Sequence, residues 1–444
     1  MKQFSSRYVR YLYMIKVIIF SFLIFSSILF AQSSQYNKPI DFWENQKKGT
    51  NFFNEVEKQE RFRSAKELNI SFARLAPNKW RIGNPKNKLG NFLIGEQDNP
   101  AKAPNEADIK YLKSIIDIAY KESIPVILTM LSLPHSRWSQ HSKEEKEERQ
   151  IWEDFKAQDD AIIFWKELAR VLKDHKGIVA LNIRNEPSPE IAKGIPFKDW
   201  YTENYEQWNE KIKGTPQDLN LFYKKVVSAI REVDKDIPIV LDSGFFATPW
   251  AFKILDAIKD KNGNNDPNIL YSFHSYEPYN YASRPNCNKI DGTKTGETSK
   301  AGIVEKCKYN YPGMIPTGEL SDAKSIEWNK ETMVNFFKPV NDFQKRNNIP
   351  SNRILAGEFG VYRTNPDAEK YLNDMIEIFD ENKWHWAFYS FREDNWDRMD
   401  YELGTKKVHW TYWNTVKEGK FPIKLYEENK NNPLWKVITN SLNK

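Results

Sequence analysis

The sequence predicts an α/β protein, a (β/α)8 TIM barrel forming one domain over residues 32–444, with long connections from four of the strands to the helices that follow. Three observations predict it. Short strand-like runs recur eight times, several of them nearly continuous in apolar residues, the pattern of parallel strands covered on both faces. Amphipathic helical stripes alternate with them, as in βα units. The 444 residues exceed the roughly 250 of an ordinary barrel, and the surplus lies between strand ends and the helices that follow.

The strand segments are 50–54, 70–76, 125–131, 178–184, 238–243, 269–274, 353–359 and 384–391. The helical stripes are Ile109/Leu112/Ile116/Ala119, Ala161/Trp165/Leu168/Leu172, Leu219/Phe222/Val226/Ile230, Met333/Phe336/Phe337/Val340, Ala368/Tyr371/Leu372/Met375/Phe379 and Leu434/Trp435/Ile438. Apolar stripes at this spacing are core faces rather than cofactor sites. The long connections, 80–105, 132–158, 185–217 and 275–327, fall where a barrel of this kind builds its active face. The charged run 143–149 reads as a solvated helix face in one of them. Residues 262–266 read as a plain turn, because the glycine and glutamate offsets of a calcium loop are missing.

Charged residues make up 28% and no tract dominates, which excludes a disordered chain. Lys2, Arg7, Arg10 and Lys16 stand in the first 31 residues, which contain no acid, so removing them takes the net charge from +6 to 6 − 4 = +2. No global basic field then argues for nucleic acid. Residues 1–31 read as a signal peptide: a basic start, the uncharged run 17–30, and a plausible cut at Ala31-Gln32-Ser33. That run is short of the roughly 20 residues of a membrane span. Leu29 is a poor residue two places before Ala31, which leaves a retained anchor open. Export to the periplasm or the medium is the expectation, with no other membrane segment and a monomer as the default. Cys287 and Cys307 are the only cysteines. In an exported chain they suit one disulfide worth about 3 kcal/mol, with two unlinked thiols as the alternative. They cannot complete a structural zinc site.

Two acids stand apart. Glu186 follows the apolar run 178–185 and precedes Pro187; Glu358 follows 354–357 and precedes Phe359-Gly360. An ionisable group in an apolar strand is costly unless it faces the cleft at the strand end, and strands four and seven would carry these two to the barrel mouth. Paired carboxylates cleave glycosidic bonds without metal or cofactor, one protonating the leaving oxygen and the other attacking or activating water.

Asn185-Glu186-Pro187 at strand four and Gly357-Glu358-Phe359-Gly360 at strand seven resemble glycoside hydrolase family 5, the cellulase-type branch of the retaining barrel glycosidases. The resemblance implies Glu186 as acid/base and Glu358 as nucleophile. It also implies Arg74, in Phe72-Ala73-Arg74-Leu75-Ala76, as the arginine that keeps the nucleophile ionised. Asn185 matches the asparagine that binds the sugar 2-OH. His274 and Tyr276 match the family's strand-six His-x-Tyr pair, Tyr276 orienting the nucleophile and His274 supporting the acid/base. Glu186 needs a raised pKa, which burial and neighbouring negative charge supply.

Two departures accompany these matches. Strand three lacks the family's Asp-x-His, so that histidine is either His135, from the following loop, or absent. Strand eight carries Tyr389 where a tryptophan is usual, and Tyr389–Ser390 is the position for the family's cis peptide. Trp138 and Trp250 are candidate sugar platforms, from loop aromatics that also include Trp80, Trp200, Trp208, Tyr279 and Trp396.

The expectation is an exported retaining β-glycosidase, needing no metal or cofactor, that hydrolyses a β-linked glucan or related polysaccharide by double displacement. Alternatives are a retaining glycosidase for mannan or glycolipid glycans, and a non-catalytic glycan-binding barrel. Asp234-Lys235-Asp236 has the form of a glycosyltransferase metal motif but reads as a helix-end cap. No phosphate loop or G-x-S-x-G elbow occurs.

Overall fold

The computed structural model describes residues 38–81, 90–193, 205–284, 286–288, 306–317, 324–394, 397–405, 408–409 and 411–444. The leader expected at 1–31, and Trp200 and Trp396, lie outside them.

Eight parallel strands close into a barrel: β1 (Lys48–Phe52), β2 (Ala73–Leu75), β3 (Val126–Thr129), β4 (Ile178–Asn182), β5 (Ile239–Asp242), β6 (Ile269–Ser275), β7 (Ile354–Phe359) and β8 (His385–Phe388). Each pairs with its sequence neighbours, and β8 returns to β1 with Thr50 opposite Phe388. All eight lie within or beside the segments read from apolar runs, because a strand covered on both faces has no room for polar alternation.

Among the described residues the outer layer includes the helices α1 (Gln59–Glu67), α2 (Glu106–Lys121), α3 (Phe155–Leu172), α4 (Leu219–Arg231), α5 (Lys338–Asn347), α6 (Ala368–Asn382) and α7 (Pro433–Leu442). Asn105, Asp154, Asp218 and Asn432 cap α2, α3, α4 and α7 by accepting from first-turn N–H groups. Their buried stripes, among them Leu112, Trp165, Phe222, Phe343, Phe379 and Trp435, pack on the outer strand faces. Inside the barrel a second cluster joins Phe72, Ile127, Val179, Val240, Leu270 and Leu355 to Ile40, Phe42 and Trp43. These last three come from the short 3-10 helix Pro39–Trp43, and Trp43 Nε1 donates to Val179 O at 3.0 Å.

Three details depart from the sequence reading. The stripe through Met333 and Val340 is two helices, Lys330–Phe336 and α5, which meet at Phe337. Pro339, within the first two positions of α5, has no N–H to continue the preceding helix. The run 143–149 is exposed turn at Lys143–Lys146 and not helix. It is shaped by an antiparallel bridge between Arg137 and Glu148, backed by a 3.4 Å ion pair of the same residues. Between β5 and β6 a four-residue turn of helix, Gly244–Ala247, with left-handed residues inside it, and the 3-10 helix Pro249–Lys253 stand where the other units have a longer α-helix. The turn near 262–266 is a turn, with Asp260 accepting from the N–H groups of Asn262 and Asn264.

The long β6–α5 connection holds a two-residue ribbon, Cys287–Asn288 against Lys306–Cys307, and a hairpin, Gly313–Pro316 with Ser325–Trp328. Cys307 is disulfide-bonded and the ribbon sets it opposite Cys287. Among the described residues no helix is long and apolar enough to cross a membrane.

Gly49 in β1 tests how tightly the barrel interior is filled. A Cβ there would lie 2.5 Å from the Phe72 ring, itself wedged against Trp43. Gly49→Ala is therefore expected to lower stability by about 1–3 kcal/mol through overpacking, read as a lower denaturant midpoint at unchanged m-value.

Candidate active site

Glu358 reaches the barrel mouth through a kink in β7. Ala356 pairs with Phe273, but the next paired residue is Glu358, opposite His274, so Gly357 is left over as a bulge. Only glycine fits: a Cβ on Gly357 would meet Ser272 Oγ at 2.6 Å and His274 Nε2 at 3.2 Å. Glu186 arrives differently. It lies beyond the end of β4 with φ of +50°, a backbone that non-glycine residues rarely adopt. Two main-chain bonds pin it there, Asn185 N–H to Met130 O at 2.9 Å and Glu186 N–H to the Asp242 carboxylate at 3.3 Å.

Arg74, fully buried on β2, ties the mouth together. Its Nη1 donates to Glu358 Oε1 at 2.8 Å, Asn51 Oδ1 at 2.7 Å and Gly357 O at 3.1 Å. Its Nη2 donates to Asn182 Oδ1 at 2.8 Å and Asn185 Oδ1 at 3.0 Å. Tyr276 donates its hydroxyl to the other oxygen of Glu358 at 2.8 Å. His274 Nδ1 lies 2.8 Å from Glu186 Oε1 and 3.8 Å from Glu358 Oε2. One oxygen of each glutamate and a His274 nitrogen all fall within 4.8 Å of one another.

The two acids have different surroundings. Burial pushes the Glu186 carboxyl up to about 8, with Asp242 adding to the rise and Arg74 and Arg184 opposing it. Burial also raises Glu358, against the pull of His274 and Arg74. Arg74 acts on Glu358 in the direction the sequence implies, lowering it, but desolvation is the larger effect and the net shift is upward.

Of the residues singled out in the sequence, Glu186, Glu358, Arg74, Asn185, His274 and Tyr276 come together. Tyr389 is beside them, half-buried against Phe53 and hydrogen-bonded to Glu393, and the Tyr389–Ser390 peptide is cis. Trp138 lines the same mouth, its ring 5.8 Å from the Arg184 guanidinium and 6.1 Å from Phe246. Trp250 does not join. Lys253 Nζ stands 3.3 Å over its ring, within a separate cluster around Tyr205 and Phe245. His135 does not join either, since its ring nitrogens are taken by Gln150 and Asp160, each at 3.2 Å. The buried loop histidine is His141, whose Nδ1 lies 3.1 Å from Ser132 Oγ just past β3. Trp80 is core, with Nε1 donating to Asn54 O.

Sequence reasoning missed Asn51, Asn182 and Asp242, all fully buried. The signal was present: each is a polar residue in or ending an apolar strand, the argument that singled out the glutamates.

Among the described residues Glu186, His274 and Glu358 are the only trio spaced to hold a metal ion. Arg74, Tyr276 and His274 already occupy those oxygens with hydrogen bonds, so a cation would have to displace them. The chemistry this donor set favours is proton transfer at Glu186 beside an oriented nucleophilic carboxyl.

The family model for cellulase (glycosyl hydrolase family 5) matches residues 34–395. No curated protein matches in sequence. Among solved structures, the clostridial cellulose synthase subunit Z of Clostridioides difficile is 16% identical, covers 90% of this chain and 100% of its own, and superposes with a TM-score of 0.53. An endoglucanase of the hyperthermophile Thermotoga maritima is 16% identical over 88% of this chain and 99% of its own, TM-score 0.52. A further endoglucanase is 18% identical over 86% and 100%, TM-score 0.50. At these identities the likeness is one of fold.

The Glu186 carboxyl binds its proton more tightly folded than unfolded. Each step in pH from the ordinary carboxylate range (about 4) up to about 8 therefore costs the folded state stability. Glu186→Gln removes that cost. Its denaturation midpoint is expected to exceed that of the parent protein at pH 8 and the gap to close toward pH 4, checked by paired melts at both.

Proposed function

The chain belongs to glycosyl hydrolase family 5, and from that premise we propose that it is a retaining β-glycosidase with Glu186 as acid/base and Glu358 as nucleophile. The supporting observation is the spacing of the two carboxyls, with oxygens within 4.8 Å. Retaining enzymes hold their carboxyls about 5–5.5 Å apart, whereas an inverting pair needs about 6.5–9.5 Å to admit a water. The proton inventory agrees. Glu186, pushed to about 8, is protonated at neutral pH and can protonate the leaving oxygen. Glu358, held by Arg74 and Tyr276, is aimed at the anomeric carbon. As positive charge develops on the sugar, Glu358 bonds to that carbon and the leaving group departs with the Glu186 proton. Glu186, now a carboxylate, takes a proton from water, whose oxygen releases the sugar with its original configuration.

The substrate we propose is a β-linked glucan. The family model is that of cellulase, and the structural relatives include endoglucanases, one of them described in complex with cellobiose. Tyr389 and Trp138 supply apolar faces for sugar rings at the mouth. We also place the enzyme outside the cytoplasm, from the leader pattern at 1–31 and the disulfide at Cys307.

Azide separates the two roles. On a dinitrophenyl β-glycoside, Glu358→Ala is expected to be inactive until azide restores turnover, giving the inverted glycosyl azide. Glu186→Ala with azide is expected to give the retained one. Full activity in Glu358→Ala without azide, or an inverted first product from the unaltered enzyme by proton NMR, contradicts the proposal. The same assay across pH is expected to show kcat/KM on a glycoside with a poor leaving group falling as pH rises through about 8.

A further inference from the structure

We propose that Asp242 is a positioning residue for the acid/base step: it holds His274 in the tautomer that accepts a hydrogen bond from the protonated Glu186 carboxyl. The proposal rests on the reading of Glu186 as acid/base.

Asp242 ends β5, between the strand that leads to Glu186 and the strand that carries His274, and its side chain is fully buried. Oδ1 accepts from Asn182 Nδ2 at 3.3 Å. Oδ2 accepts from the Glu186 main-chain N–H at 3.3 Å and faces His274 Nε2 at 3.5 Å and Arg74 Nη2 at 3.8 Å. One carboxylate therefore touches both the backbone that places the acid/base and the imidazole that touches its carboxyl. A buried carboxylate is costly to keep unless such contacts require it.

The imidazole stands between acids. Nδ1 is 2.8 Å from Glu186 Oε1, while Nε2 is buried without a hydrogen-bond partner and faces Asp242 Oδ2 at 3.5 Å. Burial disfavours the imidazolium despite Glu358 and Asp242 nearby, so the ring carries one proton. Which nitrogen holds it depends on the partner of the other nitrogen. An anionic acceptor at Nε2 draws the proton to that side. Nδ1 then offers a lone pair, and the 2.8 Å contact is closed by the proton on Glu186. The other charged or titratable groups facing this pair are Arg74 from β2, Arg184 and Glu147 from the loops, Glu358 from β7 and Tyr223 from α4, whose hydroxyl donates to Asp242 O.

This arrangement serves both halves of the cycle. The neutral acid is held by an acceptor until its proton passes to the leaving oxygen as Glu358 bonds to the sugar. The Glu186 carboxylate then faces the same lone pair, with no donor from His274 to stabilise it, and is the stronger base toward the incoming water. That water's proton returns to Glu186 and its hydroxyl goes to the sugar, freeing Glu358. His274 neither gives nor takes a proton.

In Asp242→Asn an amide N–H can face Nε2, which moves the ring proton to Nδ1, where it donates to Glu186 and favours the carboxylate. The test compares this variant with the unaltered enzyme on two β-glycosides of one sugar, chosen from a dinitrophenyl glycoside panel. The dinitrophenyl compound leaves unprotonated and the phenyl compound needs the acid. Asp242→Asn is expected to lose roughly 10–100-fold more kcat/KM on the phenyl than on the dinitrophenyl glycoside. Its basic limb on the phenyl glycoside should move to lower pH. Equal losses on both, or an unmoved limb, overturn the inference. Both substrates are read in one preparation, so a reduced folded fraction cancels. Nitrogen-15 NMR of the unaltered protein, with His274 assigned among six histidines by His274→Gln, gives a second reading that does not require Asp242→Asn to fold. A proton on Nε2 is expected, and one on Nδ1 overturns the inference. Failure of the unaltered enzyme to cleave any glycoside in the panel removes the reading of Glu186 along with it.

Discussion

A buried guanidinium makes two carboxyl groups tolerable in one apolar-walled mouth. Arg74 has no exposed side-chain surface, and its two terminal nitrogens reach β1, β4, β7 and the Asn185 turn at once. A lone charge at that depth would cost several kcal/mol, and so would either glutamate. Together they form a network in which the fold and the chemistry depend on the same contacts.

The difference between the two acids is built from backbone as much as from charge. The bulge at Gly357 turns Glu358 toward Arg74 and Tyr276, while the left-handed backbone at Glu186 aims the other carboxyl at His274. Two acids within 4.8 Å would otherwise be near equivalents sharing one proton. Asp242 and Arg74 break the symmetry: Asp242 raises the proton affinity of Glu186, while Arg74 hydrogen-bonds Glu358 directly and lowers that of Glu358.

The connections beyond the strands form the rest of the mouth, and they are held by specific polar contacts rather than by regular structure. Arg137 braces the β3 loop through Gly90 O, Asn91 and Glu148. Lys79 lies half-buried against Glu393, which in turn holds the Tyr389 hydroxyl. Trp138 reaches Phe246, which sits in a run of three left-handed residues, Phe245–Ala247, anchored by the buried Glu190 carboxylate and Pro187 O. Strain of this kind persists only where surroundings over-determine it, and such positions cluster at functional sites.

The eight strands and their order were legible in the chain itself, since a strand buried on both faces must be written as an apolar run and helices on its flanks as stripes. Glu186 and Glu358 were legible for the same reason, as polar groups at the ends of such runs, whereas Arg74, Asn185, His274 and Tyr276 were legible only through the resemblance of their motifs to the family. Asn51, Asn182 and Asp242 carried that signal too and went unread, because a polar residue inside a strand does not announce which neighbour it serves. Only the tertiary structure decided that His135 faces Gln150 and Asp160, that Lys253 covers Trp250, and that Glu358 is raised rather than lowered. Each of these depends on contacts between segments distant in sequence and on how far water is excluded between them, and periodicity along a chain carries no record of either.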